Sequence, residues 1–264
     1  MYDFAYRRPA SLADAVNALK AASDGKLVAG GMTLIPTLKQ RLASPSELID
    51  LAGIAELKGI KAAGDVLTVG ALATHAEVAA AAAVKQAIPA LAALAESIGD
   101  PQVRHRGTIG GSIANNDPAA DYPAAVLALG ATVRTDRRKI AADDFFTGMF
   151  ETALDDGEIV VAVDFPKPEK ACYMKFPNPA SRYAMVGVFV ARTGGKVRVA
   201  VTGAAPCVFR HTEMEKALSA KFSPDAIKSI KVSPDGLNSD IHGSAEYRAH
   251  LVSVMARRAV AACA

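Results

Sequence analysis

Cysteine is scarce and scattered in this chain of 264 residues, which contains only three cysteines. They are Cys172, Cys207 and Cys263, and no two of them form a C-x-x-C pair. An odd number of widely spaced cysteines supports neither a disulfide framework nor an iron–sulfur or zinc site. This cysteine usage is typical of a protein that works in a reducing cytoplasm.

Strong net charge and long apolar runs are also missing. The formal net charge is +3, and no run of lysine or arginine is long enough to indicate nucleic-acid binding. No apolar run reaches the length of a membrane span, and the first residues lack the uninterrupted apolar core of a signal peptide. We therefore expect a soluble, cytoplasmic protein with no transmembrane segment and no nucleic-acid partner.

Several sequence motifs that carry chemistry are absent as well. The chain has no G-x-G-x-x-G, no G-x-x-x-x-G-K-[ST], no H-E-x-x-H and no G-x-S-x-G. Its five histidines are dispersed without the spacing of metal ligands. We therefore predict no metal site and no catalytic side chain, and a dinucleotide, if bound, is not held by a Rossmann-type turn.

The composition that remains is that of an ordinary globular protein. Hydrophobic residues make up 51% and charged residues 22% of the chain, whose length allows one large domain or two to three smaller ones. The residue pattern changes near Ile54, and two prolines interrupt it at residues 166–168. We predict an α+β protein with three parts, at residues 1–53, 54–168 and 169–264.

Local patterns predict most of the helices and strands. Helical spacing follows Ser11, and a capping box, in which Thr74 and Glu77 satisfy each other's backbone, predicts another helix. Thr193-Gly194-Gly195 predicts a hairpin between two alternating strands. The predicted strands are residues 26–29, 47–51, 57–61, 66–70, 131–135, 139–142, 159–165, 185–192 and 196–202. Helical spacing from Leu34 through Leu42 predicts a helix directly after the first Gly-Gly pair. The other predicted helices are residues 88–98, 122–129, 211–218, 225–230 and 245–262, with an irregular loop at 98–121.

Two glycine pairs stand in similar surroundings, and the chain is organised around them. We call Ala29–Thr33 (AGGMT) the first glycine loop and Thr108–Ser112 (TIGGS) the second. In both, a cation lies five residues before the second glycine, and a hydroxyl residue follows within two. Adjacent glycines leave N–H groups facing outward, which suits an anion as large as a diphosphate. A single Gly-Gly pair is more often a plain turn than a ligand site, but the repeated design indicates two sides of one phosphate-bearing ligand.

Three side chains outside the loops are candidates for contacting the ligand, and each also has an ordinary structural role as an alternative. Asp121 suits a hydrogen bond to a ribityl or ribose hydroxyl, or else caps the helix that begins at Tyr122. Tyr183 suits stacking on a flat ring, and Lys175 suits stabilising a reduced, anionic ring, but both residue types are also common at ordinary surfaces and interfaces.

The two loops and five further segments resemble one known family. AGGMT and TIGGS are similar to the AGGxS and TIGGN motifs of the flavin-binding medium subunit of molybdenum hydroxylases, the carbon monoxide dehydrogenase and xanthine dehydrogenase type. The other matching segments are IGDPQVR (98–104), DPAADYPAA (117–125), DFFTGMFETAL (144–154), NPASRYAMVG (178–187) and GSAEYRAHL (243–251). The series runs in order over essentially the whole chain.

The resemblance implies a fold and a set of cofactor-binding residues. The fold is a two-subdomain FAD-binding fold of the p-cresol methylhydroxylase/vanillyl-alcohol-oxidase type, followed by a C-terminal α+β domain. Carried over by position, the FAD-binding residues are Lys26, Leu27, Val28, Ala29, Gly30, Gly31, Met32, Thr33, Ile98, Thr108, Ile109, Gly110, Gly111, Ser112, Asp121, Val160, Lys175 and Tyr183. Val160 and Lys175 fall at the flavin end, and Tyr183 falls where an aromatic side chain covers the ring. Met32 and Ser112 depart from the family pattern, which has a polar residue and an asparagine there.

The resemblance also implies a role and partners. FAD on this chain would take electrons from [2Fe-2S] clusters on a small subunit and pass them to a terminal acceptor, while substrate reacts at a molybdenum–pterin centre on a large subunit. The expected assembly is a dimer of heterotrimers. The resemblance does not identify the substrate, which could be carbon monoxide, a purine, an aldehyde or an N-heterocycle. It does not identify the terminal electron acceptor either. Two alternatives are a stand-alone flavin oxidase of the same fold and a cofactor-free binding or assembly protein.

Overall fold

A small parallel sheet begins the chain in the computed structural model, which describes residues 1–263. Its strands lie in the order β1–β3–β2, with β1 at Ala5–Arg7, β2 at Gly25–Val28 and β3 at Glu47–Asp50. Helix α1 (Leu12–Ala21) joins β1 to β2, and helix α2 (Leu34–Lys39) lies between β2 and β3. The first glycine loop therefore leaves the carboxyl end of β2 and enters α2.

A five-stranded antiparallel sheet forms the centre of the molecule. In spatial order its strands are β4 (Ile60–Ala63), β5 (Val66–Gly70), β10 (Val160–Pro166), β6 (Thr132–Thr135) and β7 (Lys139–Ala141). A two-stranded ribbon, β8 (Phe146–Gly148) and β9 (Glu151–Thr152), precedes β10. Because β10 pairs with β5 and β6, it joins the two halves of this sheet.

Seven helices accompany the five-stranded sheet and bury its apolar side chains. They are α3 (His75–Ala80), α4 (Ala82–Ala87), α5 (Pro89–Glu96), α6 (Pro101–Arg104), α7 (Ile109–Asn115), α8 (Tyr122–Ala128) and α9 (Ala142–Phe145). Tyr122, Phe145 and Phe165 are fully buried in the resulting core. Helix α8 is buried along its whole length, which fixes the residue before it, Asp121, deep in the molecule.

The C-terminal part is an antiparallel sheet packed against two helices. The sheet runs β11 (Lys170–Pro177), β12 (Ala184–Thr193), β13 (Lys196–Thr202) and β14 (Phe209–Arg210), and the helices are α10 (Thr212–Ala220) and α11 (Ala245–Ala262). Val188, Val199 and Met255 lie in the core between them. Along β11 the side chains alternate, so Cys172 and Met174 face this core while Tyr173 packs against the core of the central part.

The sequence predicts much of this arrangement correctly. Thr74 and Glu77 form the predicted capping box at α3, since each side chain accepts a hydrogen bond from the other's backbone N–H. The Thr193-Gly194-Gly195 turn joins β12 to β13, with both glycines at positive φ. The bounds of α11 match the prediction of 245–262. The mixed helix-and-strand fold is confirmed.

Three local predictions are wrong, and one long strand, β11, is not predicted. Residues 55–57 form a 3-10 turn that buries Leu57, so the strand predicted at 57–61 begins only at Ile60. The irregular loop predicted at 98–121 contains α6 and α7, which Asp100 and Thr108 cap. The sequence pattern does not indicate strand β11, because both of its faces carry apolar side chains and no apolar–polar alternation results. The helix predicted at 225–230 is a 3-10 turn at Pro224–Ile227.

Two features are absent from the part of the chain that the structure describes. No helix there is long and apolar enough to cross a membrane. No group of three or more histidine, cysteine or acidic side chains is arranged to hold a metal ion.

Candidate functional site

One cavity of about 630 Å³ opens where the two glycine loops meet. Both loops line it, together with residues from the central sheet, from the turn before α6 and from the hairpin between β11 and β12. The loops are 80 residues apart in the sequence, so it is the tertiary fold that brings them to one hollow. This is the shared site that the repeated design predicts.

Gly30 is the point at which the first loop touches the chain ahead of the second. A Cβ atom placed on Gly30 would lie 2.0 Å from the carbonyl oxygen of Arg106 and 2.8 Å from the Cα of Gly107. Both distances are shorter than the contacts of real Cβ atoms, and the one to the carbonyl oxygen is shorter by far, so the two backbones can meet this closely only at a glycine. The contact fixes the spacing between the two loops.

The first loop presents a row of free backbone donors. Within residues 1–263, the N–H groups of Gly30, Gly31, Met32 and Thr33 donate to no other protein group. Gly31 has φ +73°, a conformation that favours glycine, and Thr33 already lies in the right-handed helical region at the start of α2. Unpaired N–H groups on a cavity wall suit an anionic ligand.

The second loop differs from the prediction of outward-facing N–H groups. Thr108 caps α7 through its hydroxyl, which accepts from the N–H of Gly111, and the N–H of Gly110 donates to the carbonyl of Ala71. Its glycines are helical, so they do not form a turn at positive φ. The second loop therefore contributes an open face at Gly111, which is exposed to the cavity. Apart from the adjoining residues and the backbone of its own helix, the described residues bring only Thr108 Oγ1, at 3.0 Å, within 4 Å of a Cβ placed there.

Asp121 stands at one wall of the cavity in a buried polar triad. Its carboxylate accepts from the hydroxyl of Tyr173 at 2.5 Å and from Nζ of Lys175 at 3.0 Å, and Lys175 also donates to the carbonyl of Ser97 at 3.2 Å. Burial raises the pKa of Asp121, and the Lys175 ammonium and the Tyr173 hydroxyl oppose that shift. Asp121 occupies the N-cap position of α8, but its side chain makes no hydrogen bond to the start of that helix, and its carboxylate is taken up by Tyr173 and Lys175 instead.

Tyr183 lies at the mouth of the cavity on the hairpin between β11 and β12. Its side chain is half exposed, and its neighbour Arg182 has φ +61°, which turns the chain sharply before it. Burial together with the charges of Asp117 and Asp121 raises the pKa of Tyr183. A half-exposed aromatic ring at the mouth can cover a flat ligand and screen it from solvent.

Sixteen of the eighteen predicted residues line the cavity. The two exceptions are Ile109, which is fully buried in the core, and Lys175, which reaches the site only through Asp121. Sequence reasoning missed several lining residues, among them His75, Asn115 and Glu158. His75 follows Thr74 directly at the start of α3, and the backbone contact that brings it to the cavity spans more than thirty positions: its N–H donates to the carbonyl of Gly107 at 2.9 Å.

Glu158 is held at the cavity wall by a charged network. Its carboxylate accepts from Arg138 through both Nε and an Nη atom, from the hydroxyl of Thr135 and from the N–H of Asp155. The hydrogen bonds from Arg138, more than any other cause, lower the pKa of Glu158 to about 2 from its ordinary 4.5. The carboxylate is therefore ionised in the folded protein at any physiological pH.

The network predicts a defined loss of stability in acid. Because the folded pKa lies below the unfolded one, Glu158 stabilises the fold fully above pH 4.5, and this contribution disappears as pH falls toward about 2. We expect Glu158→Gln to be less stable than the natural protein at pH 6 and the difference to shrink by pH 3, measured as urea unfolding midpoints. Asp155→Asn, which alters a carboxylate 63% exposed to solvent beside the same arginine, is the control and should show little change. A constant difference between the two pH values would contradict this role.

Two models of known protein families match the sequence, one in each half of the chain. Residues 2–168 match the model described as "FAD binding domain in molybdopterin dehydrogenase", and residues 171–263 match "CO dehydrogenase flavoprotein C-terminal domain". The chain belongs to the FAD-binding medium subunits of molybdenum hydroxylases. The prediction of an oxidoreductase subunit with FAD as its cofactor is thereby confirmed for the family to which the chain belongs.

Curated medium subunits resemble this one along their whole length. The nicotine 6-hydroxylase medium subunit of Paenarthrobacter nicotinovorans is 36% identical over 269 residues, covering 97% of this chain and 95% of that protein. The carbon monoxide dehydrogenase medium chain of Afipia carboxidovorans is 36% identical over 274 residues, with the same two coverages.

Solved structures of the family share the fold of this medium subunit. A reconstituted CO dehydrogenase from Oligotropha carboxidovorans superimposes with a TM-score of 0.90 at 33% identity, covering 99% of this chain and 97% of that one. Quinoline 2-oxidoreductase from Pseudomonas putida 86 gives 0.89 at 30% identity, covering 99% and 96%. The likeness extends over both halves of the medium subunit.

Proposed function

We propose that this chain is the FAD-carrying electron-transfer subunit of a molybdenum hydroxylase. The observation that carries the proposal is the cavity in which four unpaired N–H groups of the first glycine loop stand on a wall shared with Gly111. Free donors offer an anion the hydrogen bonds it needs, and the open face of Gly111, with only Thr108 Oγ1 close to it, leaves room for the anion. Both features fit the diphosphate of FAD.

The remaining predicted residues take roles by their position around the cavity. We propose that Lys26 to Thr33 and Thr108 to Ser112 surround the diphosphate and that Ile98 and Asp121 form the wall beside it. Val160 and Tyr183 would contact the flavin end, with Lys175 acting through Asp121. Met32 and Ser112 depart from the family pattern, but the backbone N–H groups of the first loop and the open face of Gly111 do not depend on those side chains.

Bound FAD accepts and donates electrons one or two at a time, and the protein determines its position and electrostatic surroundings. Asp121, which accepts from Tyr173 and Lys175, would keep the wall beside the diphosphate rigid. Tyr183 would keep water from the ring. The three dispersed cysteines offer no ligand set for an iron–sulfur cluster, so in this proposal the clusters belong to another chain.

The proposal includes partners and an assembly. A large subunit would bind molybdenum–pterin and a small subunit would carry [2Fe-2S] clusters, together forming a dimer of heterotrimers in the cytoplasm. The relatives are named as medium subunits or medium chains, which supports partners of this kind. We also retain as proposals the p-cresol methylhydroxylase/vanillyl-alcohol-oxidase type of FAD fold and the boundaries 1–53, 54–168 and 169–264.

Reconstitution with FAD tests the proposal. The purified chain, freed of ligand and mixed with excess FAD, should retain FAD through gel filtration with the visible absorption band of oxidised flavin. In a stopped-flow experiment the bound FAD should accept electrons from the reduced iron–sulfur subunit. Failure to retain FAD would contradict the proposal and favour a cofactor-free assembly protein. Turnover of a small alcohol by the isolated chain would instead favour a stand-alone oxidase.

Removing Tyr183 should separate binding of FAD from access to it. We expect Tyr183→Ala to hold FAD within about threefold of the natural affinity, since the loops that bind the diphosphate are unchanged. Reoxidation of the reduced flavoprotein by a dissolved acceptor such as ferricyanide should become severalfold faster, because the ring that covers the mouth is gone. Tyr2→Ala, which removes a tyrosine of similar exposure outside the cavity lining, is the matched control. Equal reoxidation rates in the two variants would show that Tyr183 does not cover the flavin.

A further inference from the structure

Two buried polar atoms near the cavity lack hydrogen-bond partners. Nδ1 of His75 and the hydroxyl of Tyr122 are both shielded from solvent, and neither bonds to any of residues 1–263. His75 is 5% exposed and Tyr122 is fully buried. Buried polar groups in native proteins are almost always paired, so two orphans in one place require an explanation.

The two side chains are in contact with each other. Their ring centroids lie 5.3 Å apart, with the planes tilted by 47°. Burial, together with the charge of Asp121, raises the pKa of Tyr122, so its hydroxyl keeps its proton and remains a donor. Burial and the nearby Arg104 guanidinium lower the pKa of His75 to about 4, so its ring is neutral and has one nitrogen free to accept. The tyrosine therefore has a proton to donate and the histidine a lone pair to accept, and their two rings are already in contact.

The opposite edge of the histidine ring faces the point where the loops converge. His75 lines the cavity, and a Cβ placed on Gly107 would lie 2.5 Å from its Nε2. Gly107 also lies against Gly30 of the first loop, since a Cβ placed on Gly30 would be 2.8 Å from the Cα of Gly107. Nε2 of His75 therefore lies beside the junction of the two loops. Unlike Nδ1, Nε2 is not fully shielded, although it too has no partner among the described residues.

We propose that Tyr122 donates a hydrogen bond to Nδ1 of His75, and that His75 thereby presents Nε2–H as a donor to a diphosphate oxygen of the cofactor. The bond from Tyr122 excludes a proton on Nδ1 and so fixes the tautomer of a neutral ring. Tyr122 is a positioning residue, and His75 is a binding residue at the junction of the loops. The identity of the ligand rests on the proposed function, whereas the Tyr122–His75 bond does not.

Nitrogen NMR of the apoprotein tests the bond directly. With histidine labelled in ¹⁵N, and His75→Phe used to assign the signal, the ring of His75 should show the tautomer with its proton on Nε2. Tyr122→Phe should shift the population toward the tautomer protonated on Nδ1. A proton on Nδ1 in the natural protein would overturn the proposal, whether or not FAD binds.

Ligand titrations test the second half of the proposal. His75→Phe should weaken FAD binding by about 10- to 100-fold, the usual effect of losing one hydrogen bond to a charged group. His75→Gln, whose amide can place an N–H near the position of Nε2, should restore binding to within a fewfold. Far-ultraviolet circular dichroism and urea midpoints of both variants establish that they fold alike.

The choice of ligand locates the contact. If His75 contacts the diphosphate, His75→Phe should weaken the binding of ADP by the same factor as the binding of FAD. It should leave the binding of riboflavin, which has no phosphate, unchanged. Weaker binding of riboflavin with unchanged binding of ADP would overturn the assignment of His75 to the diphosphate. Binding of FAD by His75→Phe with the affinity of the natural protein would overturn it as well. Failure of the natural chain itself to bind FAD would contradict the proposed function, while the tautomer measurement would still decide the Tyr122–His75 bond.

Discussion

Replacing Gly111 with valine is expected to remove FAD from the cavity while the fold stays intact. Gly111 is helical with an ordinary φ and is exposed to the cavity, so a side chain there strains nothing in the protein except a tight contact to Thr108 Oγ1 at 3.0 Å. Valine is also a better helix former than glycine. Its methyl groups would occupy the space proposed for the diphosphate, and we expect at least a 100-fold loss of FAD affinity, about 2.7 kcal/mol.

Fluorescence titration of the apoprotein with FAD measures this effect. Ala93→Val adds the same branched side chain to an exposed position of α5 outside the cavity lining, and it should bind FAD as the natural protein does. Circular dichroism and urea midpoints should match for both variants. Natural affinity in a folded Gly111→Val would show that the open face of the second loop is not used by the cofactor.

Replacing Asp121 with alanine is expected to cost about 3–5 kcal/mol of unfolding free energy. The substitution leaves the Lys175 ammonium, whose side chain is 7% exposed, with only the carbonyl of Ser97 as a partner. It also removes the acceptor of the Tyr173 hydroxyl. A buried charge that loses its partner keeps the full penalty of leaving water, which is why the loss is large.

Urea unfolding separates this buried triad from an ordinary surface pair. Asp143 pairs with Arg198 and Arg210, but its side chain is 47% exposed, so Asp143→Ala should cost less than about 1 kcal/mol. The double variant Asp121→Asn with Lys175→Met removes both charges and should recover much of the loss. Similar costs for Asp121→Ala and Asp143→Ala would mean that the triad is solvated and does not stiffen the cavity wall.

Local sequence signals predict the parts of the site that depend on neighbouring residues. The first glycine loop follows a strand and precedes a helix, as its flanking residues indicate, and its N–H groups are free. The capping box of Thr74 and Glu77 sets the start of α3 correctly because both halves of the motif lie within four residues. Repetition of the loop pattern was sufficient to predict one shared hollow.

Features that depend on distant segments could not be predicted in this way. The two glycine pairs are similar in sequence but differ in structure. The N–H of Gly110 donates to the carbonyl of Ala71, far back in the chain, and the N–H of Gly111 donates to the hydroxyl of Thr108, which caps α7. Asp121 has the pattern of a helix cap, yet its partners lie more than fifty residues away on β11. Only the folded chain shows that His75 reaches the junction of the loops.

A crystal structure of the chain loaded with FAD tests the central claim most directly. The account predicts the diphosphate within hydrogen-bond distance, ~2.7–3.2 Å, of the N–H groups of Gly30 to Thr33 and packed against the bare face of Gly111. It also predicts the flavin ring beneath Tyr183. A diphosphate that contacts one loop alone, or FAD bound elsewhere on the molecule, would contradict it.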